Sequence, residues 1–452
     1  MAVDAVSADS RAESPEAHPD ARPESGPDSP STPTRVFVHI GEPKTGTTFL
    51  QQVMWGNRGE LAARGLALPG HHPQDHYRAS QDLRGIEKLP SDPAAPWTGE
   101  WDILATEAKA SRLAVISHEL FSAADPAQAE RAVRSLEPAE VHVVLTVRDM
   151  GSLLPAEWQE TIKHRNTRAW EDWLADVIDV ESRAQDRDQY WFWKVHDSVA
   201  LLARWAAHVP PERVHDTLAI ADLWSAHVPA ERIHVLTAAP REAGTSLLWE
   251  RFASLLDVDP GSVDLSRARA NSSLGLPEIE FLRRLNAELP SEIPDWYYMW
   301  NVKESLAHEA LAARPVRGRL VLPEERSAWA KEHAEILIAG LRASAYDVIG
   351  DLEELRPRPS AEPAVSPSDQ PAQEILDAAV EASAALVLNQ YRKAYPAAKP
   401  QPGRGLAGRV ESTVASSPRL KRTVRELSSR HSSVRRLRVL AWKALERSRR
   451  NA

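Results

Sequence analysis

The chain has 452 residues and a formal charge of −9, room for one large domain or two ordinary ones with tails. It contains no cysteine, which excludes disulfides, thiolate nucleophiles and cysteine-ligated metals. Its longest apolar runs, such as Ala384 to Leu388 and Val143 to Val147, fall far short of the roughly 20 residues that cross a bilayer.

Residues 1–34 alternate Ala, Pro, Ser, Asp and Glu without apolar periodicity and carry a net −5. Such a segment cannot bury enough surface to offset its ordering entropy, so it is expected to be disordered. It also lacks the basic-then-apolar order of a secretion signal, which makes a cytoplasmic protein the expectation. Globular pattern begins at Arg35 with RVFVHIG, a buried strand, followed by a helix over Thr47–Leu61. RLAVIS (112–117), VHVVLTVR (141–148) and RIHVLTA (232–238) read as further strands, and Ala127–Leu136 and Ala169–Val180 as helices. Continuous rather than alternating apolar runs predict strands covered on both faces. The fold class that follows is α/β, a P-loop-like doubly wound parallel sheet flanked by helices, spanning 35–357.

A short duplication interrupts this order. WAAHVPPERVH (205–215) recurs as WSAHVPAERIH (224–234) with eight of eleven positions identical. The second copy runs into a predicted strand and takes the core position; the first reads as an inserted helix and turn. Beyond Pro357, the Pro/Ser-rich stretch 358–371 is a linker to an amphipathic helix over 372–398. Its expected packing face is Ile375, Leu376, Ala379, Val380, Ser383, Leu386 and Val387. The tail, 399–452, is helical and basic, with a net +11 over its last 52 residues, and leaves −15 on the body. Val434, Leu437, Ala441 and Leu445 recur at helical spacing there, which suits an anionic membrane surface on the inner face. With few aromatics for base stacking, no specific nucleic acid is expected; a solvated tail is the plainer alternative.

The sharpest chemical signal is GEPKTGTTFLQ, Gly41 to Gln51, directly after the first strand and opening a helix. Backbone amides at that junction can cradle an anion, Gly46 permits a tight turn, Thr47 and Thr48 can cap the helix, and Lys44 adds a mobile cation. The order differs from a Walker A loop, in which Gly-Lys-Ser/Thr are consecutive. A capped helix with a surface lysine is the plainer reading. Arg148 ends the strand 141–148, where α/β sheets place their ligands. His118 and Glu119, in AVISHELFS, are adjacent candidates for a general base, and strand alternation expects them on opposite faces. RARANSSLG (267–275) offers Arg269, Asn271 and Ser273 before a helix bearing Arg283 and Arg284. Aromatic clusters at 190–194 and 295–300 read first as core and otherwise as walls of an acceptor pocket.

Pro43 to Thr48 match, residue for residue, the Pro-Lys-Ser/Thr-Gly-Thr-Thr loop of the sulfotransferase superfamily, which the sequence resembles over roughly 35–357. The resemblance implies an enzyme that moves a sulfuryl group from 3′-phosphoadenosine-5′-phosphosulfate (PAPS) to an unidentified carbohydrate, lipid or small metabolite. It implies that Pro43, Lys44, Thr45, Gly46, Thr47 and Thr48 hold the 5′-phosphosulfate and that Arg148 grips the 3′-phosphate, with no metal. A serine usually follows that arginine by eight residues; here position 156 is alanine, leaving Ser152, Gln159 or Lys163 as substitutes. By the same implication Arg269 and Ser273 belong to a late nucleotide-binding loop, and His118 or Glu119 is the base. Two other readings stay open: a kinase-like transferase using Mg²⁺ and ATP, and an inactive domain acting as an adaptor through its basic tail.

Overall fold

The computed structural model describes residues 33–86, 97–178, 217–238, 240, 244, 246–268, 273–360 and 363–394. Residues 1–32, the first duplicate copy, the 190–194 aromatics, Arg269, Asn271 and the basic tail lie outside them.

Among the described residues, six parallel strands form one sheet in the order β2-β3-β1-β4-β5-β6. They are β1 Arg35–His39, β2 Leu66–Ala67, β3 Leu113–Ser117, β4 Glu140–Val147, β5 Ile233–Thr237 and β6 Asp347–Ile349. The four strands expected from apolar runs are the central four. The edge strands β2 and β6 are two and three residues long, too short for such a run to announce them. β1 shows why the pattern is continuous: Val36, Val38 and Ile40 pack with Trp101, Trp224 and Ile338 on one face. Phe37 packs with Leu50, Trp249 and Phe252 on the other. Both faces are covered, as a parallel sheet requires.

The expected helix over Thr47–Leu61 is broken. Thr47–Gly56 ends at Asn57, whose side-chain amide donates to Val53 O at 2.9 Å and Asp264 O at 3.0 Å, and Arg58–Ala63 starts anew. The helix Pro126–Leu136 begins on a capping box in which Asp125 and Gln128 exchange bonds. The second duplicate copy leads into β5 as expected.

A second layer of helices stands beside the sheet. Met150–Lys163, Trp170–Ile178, Leu276–Glu288, the π-helix Met299–Leu311 and Ala372–Ala394 share a core of Trp158, Ile162, Trp170, Leu282, Leu306 and Ala382. The last of these helices packs through Ile375, Ala378 and Ala382, while Leu376, Val380 and Val387 of the expected face are exposed. Its apolar residues span a wider arc than one packing stripe, beside a polar face of Glu374, Asp377 and Glu381, so its periodicity does not single out one stripe. Its alanines win the interior because they let neighbouring helices approach closely. No helix among the described residues is long and apolar enough to cross a membrane.

Candidate active site

β1 lies between β3 and β4, so the segments leaving the carboxyl ends of these three strands are neighbours, at the edge of the sheet where open parallel sheets bind ligands. The segment after β1 is a tight loop. Gly41 has φ 62°, and a Cβ there would stand 2.5 Å from Thr47 Cγ2. Gly46 has φ 103°, with Leu248 Cδ2 2.4 Å from where a Cβ would be. Lys44 itself adopts φ 63°, a left-handed conformation costing about 1–2 kcal/mol in a residue with a side chain.

The loop delivers the Thr47–Gly56 helix with Gly46 at its N-cap and no side chain bonded there. Thr47 and Thr48 therefore do not cap the helix: they are its first two residues, and its first-turn amides are left for another acceptor. Thr45 is buried and turns inward. Its hydroxyl donates to Glu42 O at 2.6 Å and lies 2.5 Å from Thr146 Oγ1, which ties the loop to β4. Pro43, Lys44, Gly46 and Thr48 are half-buried at the surface of the loop, whereas Thr47 is buried.

Lys44 reaches an unforeseen partner. Its Nζ lies 2.6 Å from Glu160 Oε2, on the helix that follows β4. Lys163 stands 3.5 Å from the same oxygen. Lys303, from the π-helix, is 2.8 Å from Glu160 Oε1, and His164 is 3.1 Å from it. Lys303 also touches His164 Nε2. Burial favours a neutral Glu160, but Lys303, Lys44 and Lys163 outweigh it and hold the carboxyl well below its usual range. Burial, then Lys303, pushes His164 down to about 4, so its ring is neutral at pH 7. Burial also lowers Lys163. Three lysines thus surround one carboxylate, an arrangement with surplus positive charge.

Arg148 joins this group from the end of β4, its guanidinium donating to Lys44 O at 3.4 Å. The three substitutes for a hydroxyl at position 156 have different fates. The Ser152 amide donates to Asp149 Oδ1 at 2.9 Å, within the cap of its own helix. Gln159 clasps the backbone of Leu274, accepting from its amide at 3.2 Å and donating to its carbonyl at 3.4 Å. Lys163 alone of the three joins the Glu160 cluster, and Ala156, Glu160 and Lys163 stand four and three residues apart on one helix face. Ser273 is exposed. Arg283 and Arg284 both pair with Glu280, at 2.8 and 2.7 Å.

His118 and Glu119 follow β3, but strand alternation stops at Ser117 because Glu119–Ala123 is a 3₁₀ turn. His118 caps that turn, Nδ1 accepting the Leu120 amide at 3.2 Å. Burial lowers the pKa of this ring against the opposing pull of Glu119, and in the neutral ring the bond from Leu120 leaves the proton on Nε2. Glu119 is 25 % exposed and accepts from Gln51 Nε2 at 3.1 Å. Burial raises its pKa, but His118, its own backbone, Gln51 and Lys44 together bring it below the ordinary value. Its Cβ lies 3.2 Å from where a Cβ on Gly41 would be, so the residue packs against the loop, and its carboxylate is held by Gln51 of the helix the loop opens. Among the described residues, no group of three or more His, Asp or Glu is placed to hold a metal ion.

Sequence reasoning named Lys44, Arg148, Lys163 and Glu119 but missed Glu160, His164 and Lys303. The run Glu160, Lys163, His164 has ion-pair spacing on a helix, a signal usually met on solvated surfaces. Nothing local marks Lys303.

No protein-family model matches the chain, and no curated protein matches it. Among solved structures it is similar to the crystal structure of a sulfotransferase from Alicyclobacillus acidocaldarius. The two are 15 % identical over 61 % of this chain and 97 % of that one, with a TM-score of 0.34. A likeness of that depth leaves the chemistry to the residues themselves.

Proposed function

We propose that this chain is a sulfotransferase that moves a sulfuryl group from PAPS to a hydroxyl or amine of its acceptor. The observation that carries the reading is the gathering of Lys44, Lys163 and Lys303 on one carboxylate, beside a helix start that no side chain caps. Excess ammonium groups and open amides suit a doubly charged phosphosulfate, so the residues present fit this co-substrate.

Lys44 and the loop amides would hold the 5′-phosphosulfate, with Lys163 and Lys303 adding charge, and Arg148 would hold the 3′-phosphate. Bound PAPS supplies an activated sulfur–oxygen bond. Glu119, ionised and packed beside the loop, would accept the acceptor's proton as the acceptor oxygen or nitrogen bonds to sulfur. The electron pair of the broken bond would leave with the nucleotide phosphate, where Lys44 would meet the developing charge. Thr45 acts from beneath, keeping the loop on β4. His118 orients the turn that presents Glu119. The reaction belongs in the cytoplasm, with the basic tail available to an anionic membrane face.

Thermal unfolding with ligands tests the reading. 3′-Phosphoadenosine 5′-phosphate, without metal, is expected to raise the melting temperature, since a ligand at 100 times its Kd adds about 2.7 kcal/mol. ATP with Mg²⁺ should not. Stabilisation by ATP–Mg²⁺ alone would make the kinase-like reading the better one.

A further inference from the structure

The π-helix that brings Lys303 to Glu160 and the short helix Asp295–Tyr298 that leads into it carry aromatic rings into solvent. Trp296, Tyr297 and Trp300 are 50, 47 and 65 % exposed. Tyr298 alone of this group takes the expected core role, its hydroxyl donating to Asn286 Oδ1 at 2.6 Å. Folded chains seldom leave neighbouring large aromatics uncovered without a use for them.

The position of these rings is tied to the site at both ends. Arg165 directly follows His164, and its guanidinium donates to Pro290 O at 2.7 Å and Ile293 O at 2.9 Å. The same group lies 5.2 Å from the centre of the Tyr298 ring and 3.9 Å from Asp295. At the other end Lys303 is three residues past Trp300 in the same π-helix, and its ammonium is on Glu160. The exposed rings are therefore carried by a short stretch of chain, Asp295 to Lys303, that is anchored to the cation cluster through Arg165 and Lys303.

Size and charge narrow what they take. Aromatic side chains bury about 150–250 Å² each, so three half-exposed ones offer on the order of 300 Å². A stable protein partner covers about 800 Å² per side, which makes this patch ligand-sized. The two cations near it are already engaged, Arg165 with backbone carbonyls and Asp295, and Lys303 with Glu160, and its neighbours in sequence, Asp295, Asn301 and Glu304, add none, which does not suit an anionic headgroup. Flat faces with a Trp N–H or Tyr O–H at the edge suit a ligand that is apolar on its ring face and hydroxylated at its rim.

We propose that Trp296, Tyr297 and Trp300 form the acceptor platform and that the acceptor is a neutral sugar, stacked on these rings. The inference rests on the sulfotransferase reading and names its substrate class. Titration of the full-length protein with cellohexaose and with chitohexaose, in saturating 3′-phosphoadenosine 5′-phosphate, tests it. The wild type should bind at least one of the two. Replacing both Trp296 and Trp300 by alanine should raise that Kd about tenfold and leave nucleotide affinity unchanged, while Trp300→Phe keeps sugar binding. Sugar affinity unaltered in the double variant, no sugar binding by the wild type, or tryptophan-dependent binding of phosphatidylserine vesicles instead, each overturns the platform. Loss of the earlier reading looks different: the wild type would then fail to bind the nucleotide, whatever it does with sugars.

Discussion

The two ends of the sheet use the same kinds of side chain in opposite balance. Toward the amino-terminal end, Glu140, His142, His234 and Asp347 form a line across β4, β5 and β6. His142 stands 2.9 Å from Glu140 and 2.8 Å from His234, which stands 2.7 Å from Asp347. Arg232 closes on Glu140 at 3.0 Å, and Phe37 stacks on His142 with centroids 4.4 Å apart. Each carboxylate there has a partner of its own. At the carboxyl-terminal end, three lysines share Glu160. Matched charge of the first kind locks strands in register and adds little net energy. Surplus charge of the second kind costs repulsion that an anionic ligand would relieve, and the proposed site rests on that difference.

The comparison breaks if changes at the two ends have similar effects. Lys44→Ala should cost the most, about 10²–10³-fold in kcat, by analogy with removal of one preorganised charge-stabilising donor; steady-state sulfation assays read it. Glu119→Gln should lower kcat about 10²-fold with nucleotide affinity intact. If His118→Ala costs that much and Glu119→Gln does not, the base is His118. Arg148→Ala should weaken 3′-phosphoadenosine 5′-phosphate about tenfold, yet hardly change adenosine 5′-phosphosulfate; equal losses would remove its proposed role. The smallest effect belongs to the matched end. The bond from His142, helped by Arg232, holds Glu140 below its usual 4.5. Its contribution to stability is therefore present above about pH 4.5 and fades as pH falls through the depressed value. Glu140→Gln should flatten that acid-side loss in thermal melts and leave nucleotide binding unchanged.

How much of this was legible in the sequence depended on how local the cause was. The four central strands announced themselves because burial on both faces makes a strand apolar throughout. The loop from Gly41 to Thr48 was legible because a strand, a turn and a helix start adjoin within a dozen residues. The direction of each side chain was not. Thr45 reads as a ligand hydroxyl, yet it bonds inward to Glu42 and Thr146, contacts set by β4 a hundred residues on. His118 and Glu119 read as alternatives on opposite strand faces, and the 3₁₀ turn that decides their geometry begins between them. Glu160 and Lys303 lie 143 residues apart, and only the packing of the π-helix against the helix after β4 joins them. DWYYMW reads as core by composition, and exposure divides it otherwise.

The central claim is that the lysines around Glu160 hold a nucleotide anion. Isothermal titration of 3′-phosphoadenosine 5′-phosphate into the wild type and into Lys303→Ala, without metal, tests it on a residue brought to the site by tertiary packing alone. The account predicts one-to-one binding by the wild type and affinity lower by about tenfold or more in the variant, as removal of a nearby unit charge implies. Equal affinities, or no binding by the wild type, would contradict it.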